Sequence, residues 1–218
     1  MNKKKNNSIK SILAFYEKAE KLKTTMRHSW LAHSDRQESS AEHSWMLGML
    51  AIVLFSEIET EIDRLKVLKM VIVHDLAEAV TGDIPSFEIS VRQEGKYAAE
   101  RKALELIVSD LPENTSTEIL SLWEEMEACQ TPEAKFAHSL DKIEVLMQHN
   151  LADISTWDEG DFRIGPYYKD HYFNFDTFMR EFKNRVDRDT IKKVIETSSE
   201  SKIDPKHLDT YKKNEEGK

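Results

Sequence analysis

Four ionisable side chains follow an apolar run near the middle of the chain: His74, Asp75, Glu78 and Asp83. The run from Val67 to Val73 predicts a buried helix that ends near Gly82. Because His74 and Glu78 are four residues apart, they share one helix face, and Asp75 lies about 100° away from His74. Burying an imidazole and a carboxylate is costly unless they are paired or bind a metal, so a divalent cation is the simplest partner.

Two further predicted helices carry an ionisable group on an apolar face. The stretch Ser39-Ser40-Ala41-Glu42 has the pattern of a capping box and begins a helix whose apolar face includes His43. Thr131 followed by Pro132 begins another helix, which has Asp141 on its apolar face. Two imidazoles and two carboxylates suit a cation such as Mn, Co, Fe or Zn. For each residue alone, a satisfied core histidine or a buried ion-pair partner is the simpler interpretation.

The rest of the chain also has helical rather than alternating periodicity. Apolar spacing predicts helices from Ser8, over 61–80, over 92–109, from a second capping box at Thr115, and over 176–196. Stretches 24–37, 81–90 and 157–175 are expected to be irregular. The prediction is an all-α protein with one helical domain over 1–197 and a polar, flexible tail over 198–218.

Composition narrows the classes of partner. The 218 residues include 40 acids and 31 bases, a net charge of −9, which argues against general binding to nucleic acid or anionic membranes. Cys129 is the only cysteine, so an intramolecular disulfide is excluded and a reducing compartment is favoured. No stretch reaches the roughly 18 apolar residues of a membrane span. We therefore expect a cytoplasmic protein without nucleic-acid or membrane partners.

Three stretches resemble the motifs of the HD-domain metal-dependent phosphohydrolases. The residues His43, His74-Asp75 and Asp141 are similar to the H…HD…D signature of that group. The strings E-A-V-T-G-D-I-P from Glu78 onward and E-A-K-F…L-D-K around Asp141 resemble, more narrowly, the small 5′-deoxynucleotidase branch. The resemblance covers roughly residues 25 to 150. It implies a helical fold in which His43, His74, Asp75 and Asp141 hold the metal.

The resemblance also implies roles for four further residues. Glu78 would activate the attacking water, although it could instead pair with a lysine. Asp83 would be a second catalytic residue and would contact the 3′-hydroxyl of the sugar, although an aspartate after glycine also stabilises turns. Arg27 would bind the phosphate, with Arg36 as the alternative. Trp30 would form one wall of the sugar pocket and disfavour a 2′-hydroxyl group there.

The resemblance implies hydrolysis of deoxynucleoside 5′-monophosphates with a divalent ion (Co, Mn, Mg, Fe or Zn), by a protein that forms a homodimer. Two alternatives stay open: hydrolysis of another nucleotide phosphoester, and a non-catalytic helical module with a structural metal. A nucleophilic side chain is not needed, and Cys129 lies at an acidic helix end that disfavours a thiolate.

Overall fold

The computed structural model of the chain describes residues 3–85 and 94–216. The architecture in these ranges is helical, as predicted, with one small sheet. The strands are β1 (Met26–Trp30) and β2 (Gln37–Ser39). The helices are α1 (Lys3–Ala19), α2 (Ser40–Leu54), α3 (Arg64–Val73), α4 (Glu78–Thr81), α5 (Lys96–Val108), α6 (Glu113–Ala128), α7 (Pro132–Leu151), α8 (Glu159–Ile164), α9 (Thr177–Thr197) and α10 (Pro205–Glu216).

Helix α7 packs against α2, α3, α6 and α9 and supplies much of the largest apolar core. Phe136, Leu140 and Ile143 of α7 are buried there with Leu47 of α2 and Met70 of α3. Full burial of each such side chain contributes about 1.5–3 kcal/mol. The core therefore holds α2, α3 and α7 at fixed positions relative to one another.

The start of α2 and the start of α7 confirm two sequence predictions. The hydroxyl of Ser39 accepts from the backbone N–H of Glu42 at 3.2 Å, and the Glu42 carboxylate accepts from the Ser39 N–H at 2.9 Å. Thr131 caps α7, and Pro132 is its first residue. The second capping box, predicted at Thr115, is wrong because α6 begins two residues earlier, at Glu113.

The helix predicted over 61–80 is interrupted. Helix α3 ends at Val73, and residues 74–77 form turns before α4. In these turns the N–H of Leu76 donates to the carbonyl of Val73, and the N–H of Glu78 donates to that of Asp75. Such three-residue spacing winds the backbone more tightly than an α-helix does. The angular positions deduced for a straight α-helix therefore do not hold across this segment.

A β-hairpin replaces part of the irregular stretch expected over 24–37. Strands β1 and β2 are antiparallel, with Met26 opposite Ser39 and Trp30 opposite Gln37. Strands of five and three residues are too short to show a convincing alternating pattern in the sequence. The hairpin lies against α7 and brings Arg27, His28 and Ser29 to one pocket.

The last quarter of the chain has more regular structure than the sequence predicts. Helix α8 and a 3₁₀ turn at Asp170–Phe173 lie inside the stretch expected to be irregular. The sequence predicts a flexible tail over 198–218, whereas a 3₁₀ turn and α10 form there and Ile203 is buried against α9. The domain boundary at residue 197 stays a prediction.

Residues 86–90 of the predicted loop and the predicted start of a helix at 92 lie outside the described ranges. Among the described helices, none combines the length and the apolar character that crossing a membrane requires.

Candidate active site

The four predicted metal ligands lie together. His43 projects from α2, His74 and Asp75 from the turns after α3, and Asp141 from α7. Nε2 of His43 is 3.3 Å from Oδ1 of Asp141, and Nε2 of His74 is 3.0 Å from Oδ1 of Asp75. Nε2 of His43 is also 3.9 Å from Oδ2 of Asp75. We call these four residues the ligand cluster.

The imidazole rings are oriented in the way that metal-binding histidines usually are. Nδ1 of His74 is 2.9 Å from the carbonyl oxygen of Val71, and Nδ1 of His43 is 2.7 Å from Oε2 of Glu144. With those nitrogens protonated as donors, both Nε2 atoms keep a lone pair directed at the cluster.

A buried nitrogen of His74 without a hydrogen-bond partner among the described residues indicates whether a metal ion fits the ligand cluster. Nε2 of His74 is buried and has no hydrogen-bond partner within the described ranges, because its close approach to Asp75 lacks hydrogen-bond geometry. A metal about 2.1 Å from each ligand would separate neighbouring ligand atoms by about 3.0–3.4 Å. The spacings of 3.0 and 3.3 Å agree with that arrangement. The residues present therefore fit a divalent cation.

Charge in the cluster favours a bound cation as well. Although burial opposes ionisation, His74 and Arg27 hold the pKa of Asp75 well below its usual value. Lys142 and His43 do the same for the pKa of Asp141, again against burial. Burial and Arg27 disfavour a charged His43, yet nearby carboxylates raise its pKa to about 10. The position attracts positive charge, which a metal ion would supply in place of the proton.

Glu78 is a buried acid beside the cluster. Its Oε2 accepts a hydrogen bond from the Ser40 hydroxyl at 2.7 Å. Burial, and after it the charge of Asp75, raise the pKa of Glu78 to about 9. Asp83, the other predicted catalytic residue, lines the same pocket. A bound cation would favour the ionised form of Glu78, which could then accept a proton.

The two predicted phosphate-binding arginines have different positions. Arg27 lines the pocket, and its Nη1 donates to Oδ2 of Asp75 at 3.0 Å. Arg36 is exposed and pairs with Glu42 at 2.9 Å. Trp30, for which the family resemblance implied a place at the sugar, is not among the pocket-lining residues that the structure describes. The structure therefore brings Arg27 to the site, but neither Arg36 nor Trp30.

One face of α7 forms the length of the pocket. Asp141, Lys142, Val145 and His149 line it in turn, and eight residues of α-helix span about 12 Å. Lys142 lies at the metal end, where its Nζ donates to Oδ2 of Asp141 at 2.6 Å. The pocket is therefore long enough for a ligand that extends well beyond the cluster.

Sequence reasoning missed several of these contacts. It assigned no role to Glu144 or Lys142, and it gave Ser40 only a capping role. Glu144 follows Asp141 by three residues, a helical spacing that could have placed both on one face. The bond between Ser40 and Glu78 joins residues 38 positions apart. That distance leaves no local signal in the sequence.

The chain belongs to the HD domain family, whose model matches residues 19–185. This confirms the resemblance seen in the motifs and the helical fold that it implied.

Two relatives with similar sequences are named as 5′-deoxynucleotidases, a more specific description than the HD domain family. The chain is 34% identical to a 5′-deoxynucleotidase of Dictyostelium discoideum over 146 residues, which cover 64% of this chain and 76% of the relative. It is 38% identical to a 5′-deoxynucleotidase of Schizosaccharomyces pombe over 143 residues, 63% of this chain and 70% of the relative.

A solved structure shares the fold over most of its length. It is titled a predicted metal-dependent phosphohydrolase from Magnetospirillum magnetotacticum, with a TM-score of 0.71 and 26% identity. The match covers 91% of this chain and 97% of that chain.

Proposed function

We propose that the protein is a metal-dependent phosphomonoesterase that hydrolyses deoxynucleoside 5′-monophosphates to deoxynucleoside and phosphate. The observation that carries the proposal is the ligand cluster, whose Asp75 and Asp141 line the same pocket as Glu78. Membership of the HD domain family and relatives named 5′-deoxynucleotidases support the same reaction.

His43, His74, Asp75 and Asp141 would hold the divalent ion. When bound there, the ion would supply positive charge that makes water more acidic and offsets negative charge on the phosphoryl oxygens. A set of two imidazoles and two carboxylates suits Co, Mn, Fe or Zn, and Mg at lower preference, so the identity of the ion stays open in this proposal.

Glu78 accepts the proton of the water as its oxygen bonds to phosphorus. The bond between phosphorus and the 5′-oxygen breaks, and the proton held by Glu78 is then available to that leaving oxygen. Ser40 orients the Glu78 carboxylate through their hydrogen bond. Water is thus the nucleophile, and no covalent intermediate with the protein is required.

Arg27 binds the phosphate dianion at the metal end of the pocket, where a guanidinium can offer paired donors. Lys142 adds a second positive charge at the same end. Asp83 contacts the 3′-hydroxyl of the sugar. The proposed role of Trp30 in rejecting a 2′-hydroxyl stays a prediction, because its position gives it no support.

We also propose that the protein forms a homodimer. Helix α2 exposes four apolar residues at helical spacing: Trp45, Met49, Ile52 and Val53. The exposed Ile72 of α3 lies beside Gly48 of α2. Contiguous apolar surface of this kind usually marks an interface. We refer to these four α2 residues and Ile72 as the apolar face. The cytoplasmic location expected from the sequence stays a prediction.

Phosphate release tests the reaction class. Metal-stripped protein would receive Co²⁺, Mn²⁺, Mg²⁺ or Zn²⁺ and then a panel of deoxy- and ribonucleoside 5′-monophosphates. We expect metal-dependent release from the deoxy set. Asp75→Ala should abolish release and weaken metal binding, whereas Asp35→Ala, in the exposed hairpin turn, should change neither. Release from ribonucleotides alone would contradict the proposed substrate.

A further inference from the structure

Four polar residues form the end of the pocket that lies away from the ligand cluster. His28 and Ser29 come from β1, His149 from the end of α7, and Asp161 from α8. We call them the distal cluster. We propose that the distal cluster binds the polar edge of the nucleobase, an inference that rests on the proposed nucleotide substrate.

The distal cluster is held together by hydrogen bonds across three elements. Nε2 of His28 is 3.1 Å from Oδ2 of Asp161, and Nε2 of His149 is 3.2 Å from Oγ of Ser29. These contacts fix both imidazole rings in the pocket wall before any ligand arrives. A fixed ring loses less conformational entropy on binding than a mobile one, which favours recognition.

One acceptor of the distal cluster is unsatisfied. Oδ1 of Asp161 has no hydrogen-bond partner in the described part of the chain, although the side chain is only 2% exposed. Nδ1 of His149 lies 3.7 Å away, too far for a hydrogen bond. An unpaired buried carboxylate oxygen costs free energy unless a ligand or water supplies a donor. The amino and imino groups of nucleobases are donors of this kind.

The position of the distal cluster fits a base rather than a second phosphate. His149 follows Asp141 by eight residues on α7, about 12 Å along the helix axis. That separation is comparable with the reach of a nucleotide from its phosphate to its base. Arg27 and Lys142 lie at the metal end, whereas the distal cluster contains a carboxylate and neither arginine nor lysine. Anion binding there is disfavoured, so the phosphate belongs at the metal end.

The two imidazole rings have different electrostatic surroundings. The hydrogen bond with Asp161 raises the pKa of His28, while burial lowers the pKa of His149. His28 is therefore the ring with the greater tendency to hold a second proton and donate. The edges of nucleobases present donors and acceptors side by side.

A purely structural role for the distal cluster is the competing explanation. Asp161 also accepts from the backbone N–H of Asp158 at 2.9 Å and completes the capping box of α8. Substituting Asp161 would therefore disturb α8 whatever its role in binding. The two histidines do not cap α8, so they are the better residues to change.

The test compares substrates with and without a base. His28→Ala and His149→Ala would be assayed with the four common deoxynucleoside 5′-monophosphates and with 2-deoxyribose 5-phosphate, which lacks a base. Loss of one hydrogen bond should raise KM for the nucleotides about 3- to 10-fold, with a smaller effect on kcat. The KM ratio between nucleotide and sugar phosphate should rise by the same factor. His33→Ala, an exposed histidine in the hairpin turn, should leave both KM values unchanged.

Equal changes in KM for both kinds of substrate, or a lower melting temperature with an unchanged KM ratio, would overturn the proposal in favour of a structural role. Calorimetric binding of deoxynucleosides to the protein gives a readout that does not need turnover. Weaker deoxynucleoside binding in both variants would support the distal cluster even if no phosphate were released. Absence of release together with unchanged deoxynucleoside binding would overturn both the distal cluster and the proposed function.

Discussion

At the scale of single residues, the chemistry depends on the hydrogen-bond partner of Nδ1 in each imidazole ring. The carboxylate of Glu144 accepts a hydrogen bond from Nδ1 of His43, and the carbonyl of Val71 accepts one from Nδ1 of His74. Partners of this kind set the tautomer and raise the basicity of the nitrogen that binds metal. A second buried acid, Glu38, lies 4.0 Å from Nδ1 of His43 and 3.8 Å from Nε of Arg27. His43 therefore lies between two outer acids and the metal position, whereas the outer partner of His74 is a backbone carbonyl.

Glu144→Gln tests this outer layer. The amide cannot carry the negative charge that stabilises His43, so we expect metal affinity to fall about 10- to 100-fold. The change should appear in a metal titration followed by calorimetry. Glu57→Gln, which changes an exposed acid in the turn after α2, provides a control that should bind metal as the wild type does. Unchanged affinity in Glu144→Gln would show that the carboxylate has only a structural role.

Glu78→Gln separates proton transfer from metal binding. The amide keeps the size of the side chain but cannot accept the proton of water, so kcat should fall about 100- to 10,000-fold. Metal content, measured by elemental analysis, should stay at the wild-type level. A variant with nearly wild-type kcat would rule out Glu78 as the proton acceptor.

The sequence was informative at this scale wherever a residue lies in a local motif. His43, His74, Asp75 and Asp141 were all predicted as one group, and the structure brings them together. The contact between His43 and Glu144 was not predicted because the two residues are 101 positions apart. The spacing of Asp141 and Glu144 on α7 indicates a shared face, but the contact of that face with His43 is decided by how α2 and α7 pack, which local patterns do not encode.

At the scale of elements, one side chain connects the start of α9 to the segment between α2 and α3. Asp176 caps α9 by accepting from the N–H of Met179, and its other oxygen accepts from the N–H groups of Glu59 and Thr60. One carboxylate thus ties the start of α9 to the connection between α2 and α3. The sequence predicted the start of α9, but not this second contact.

Asp176→Ala should destabilise the fold without touching the site. Loss of the cap alone should lower the free energy of unfolding by about 0.5–2 kcal/mol, and the unpaired N–H groups of Glu59 and Thr60 add to that. Urea denaturation measures the loss. Activity per folded molecule should stay constant, and a selective fall in kcat would contradict this assignment.

The same substitution has a defined pH dependence. Although burial opposes ionisation, hydrogen bonds from Met179 and Thr60 lower the pKa of Asp176 below its usual value. A lowered pKa in the folded state gives stability above the unfolded value of about 3.9. That stability is lost as the pH falls through the folded pKa. The gap between wild type and Asp176→Ala should therefore be constant near neutral pH and narrow in acid.

Two elements were predicted poorly for physical reasons. The hairpin of β1 and β2 is stabilised by pairing between strands and by contact with α7, neither of which leaves a local pattern in so few residues. The break after α3 is invisible to periodicity because 3₁₀ turns and α-helix bury similar apolar residues. Both departures lie at the site, where Arg27, His74 and Asp75 must be oriented.

Assembly is the question at the scale of the whole molecule. The apolar face of α2 and α3 leaves Trp45 60% and Ile52 55% exposed, which a second copy could cover. Ile52→Glu should dissociate a dimer because it buries an unpaired charge at the interface. Sedimentation velocity would report the change in mass. Leu106→Glu, an equally exposed apolar residue on α5, is the matched control, and a monomeric wild type would contradict the proposal.

The most direct measurement follows turnover as the metal site fills. Metal-stripped protein would be titrated with Mn²⁺ or Co²⁺, and bound metal and phosphate release from a deoxynucleoside 5′-monophosphate would be measured on the same samples. The predicted result is release that rises in proportion to occupancy of the ligand cluster and is absent without metal. Full release from metal-free protein, or a filled site with no release from any nucleotide, would contradict the proposal that these four residues build a catalytic metal centre.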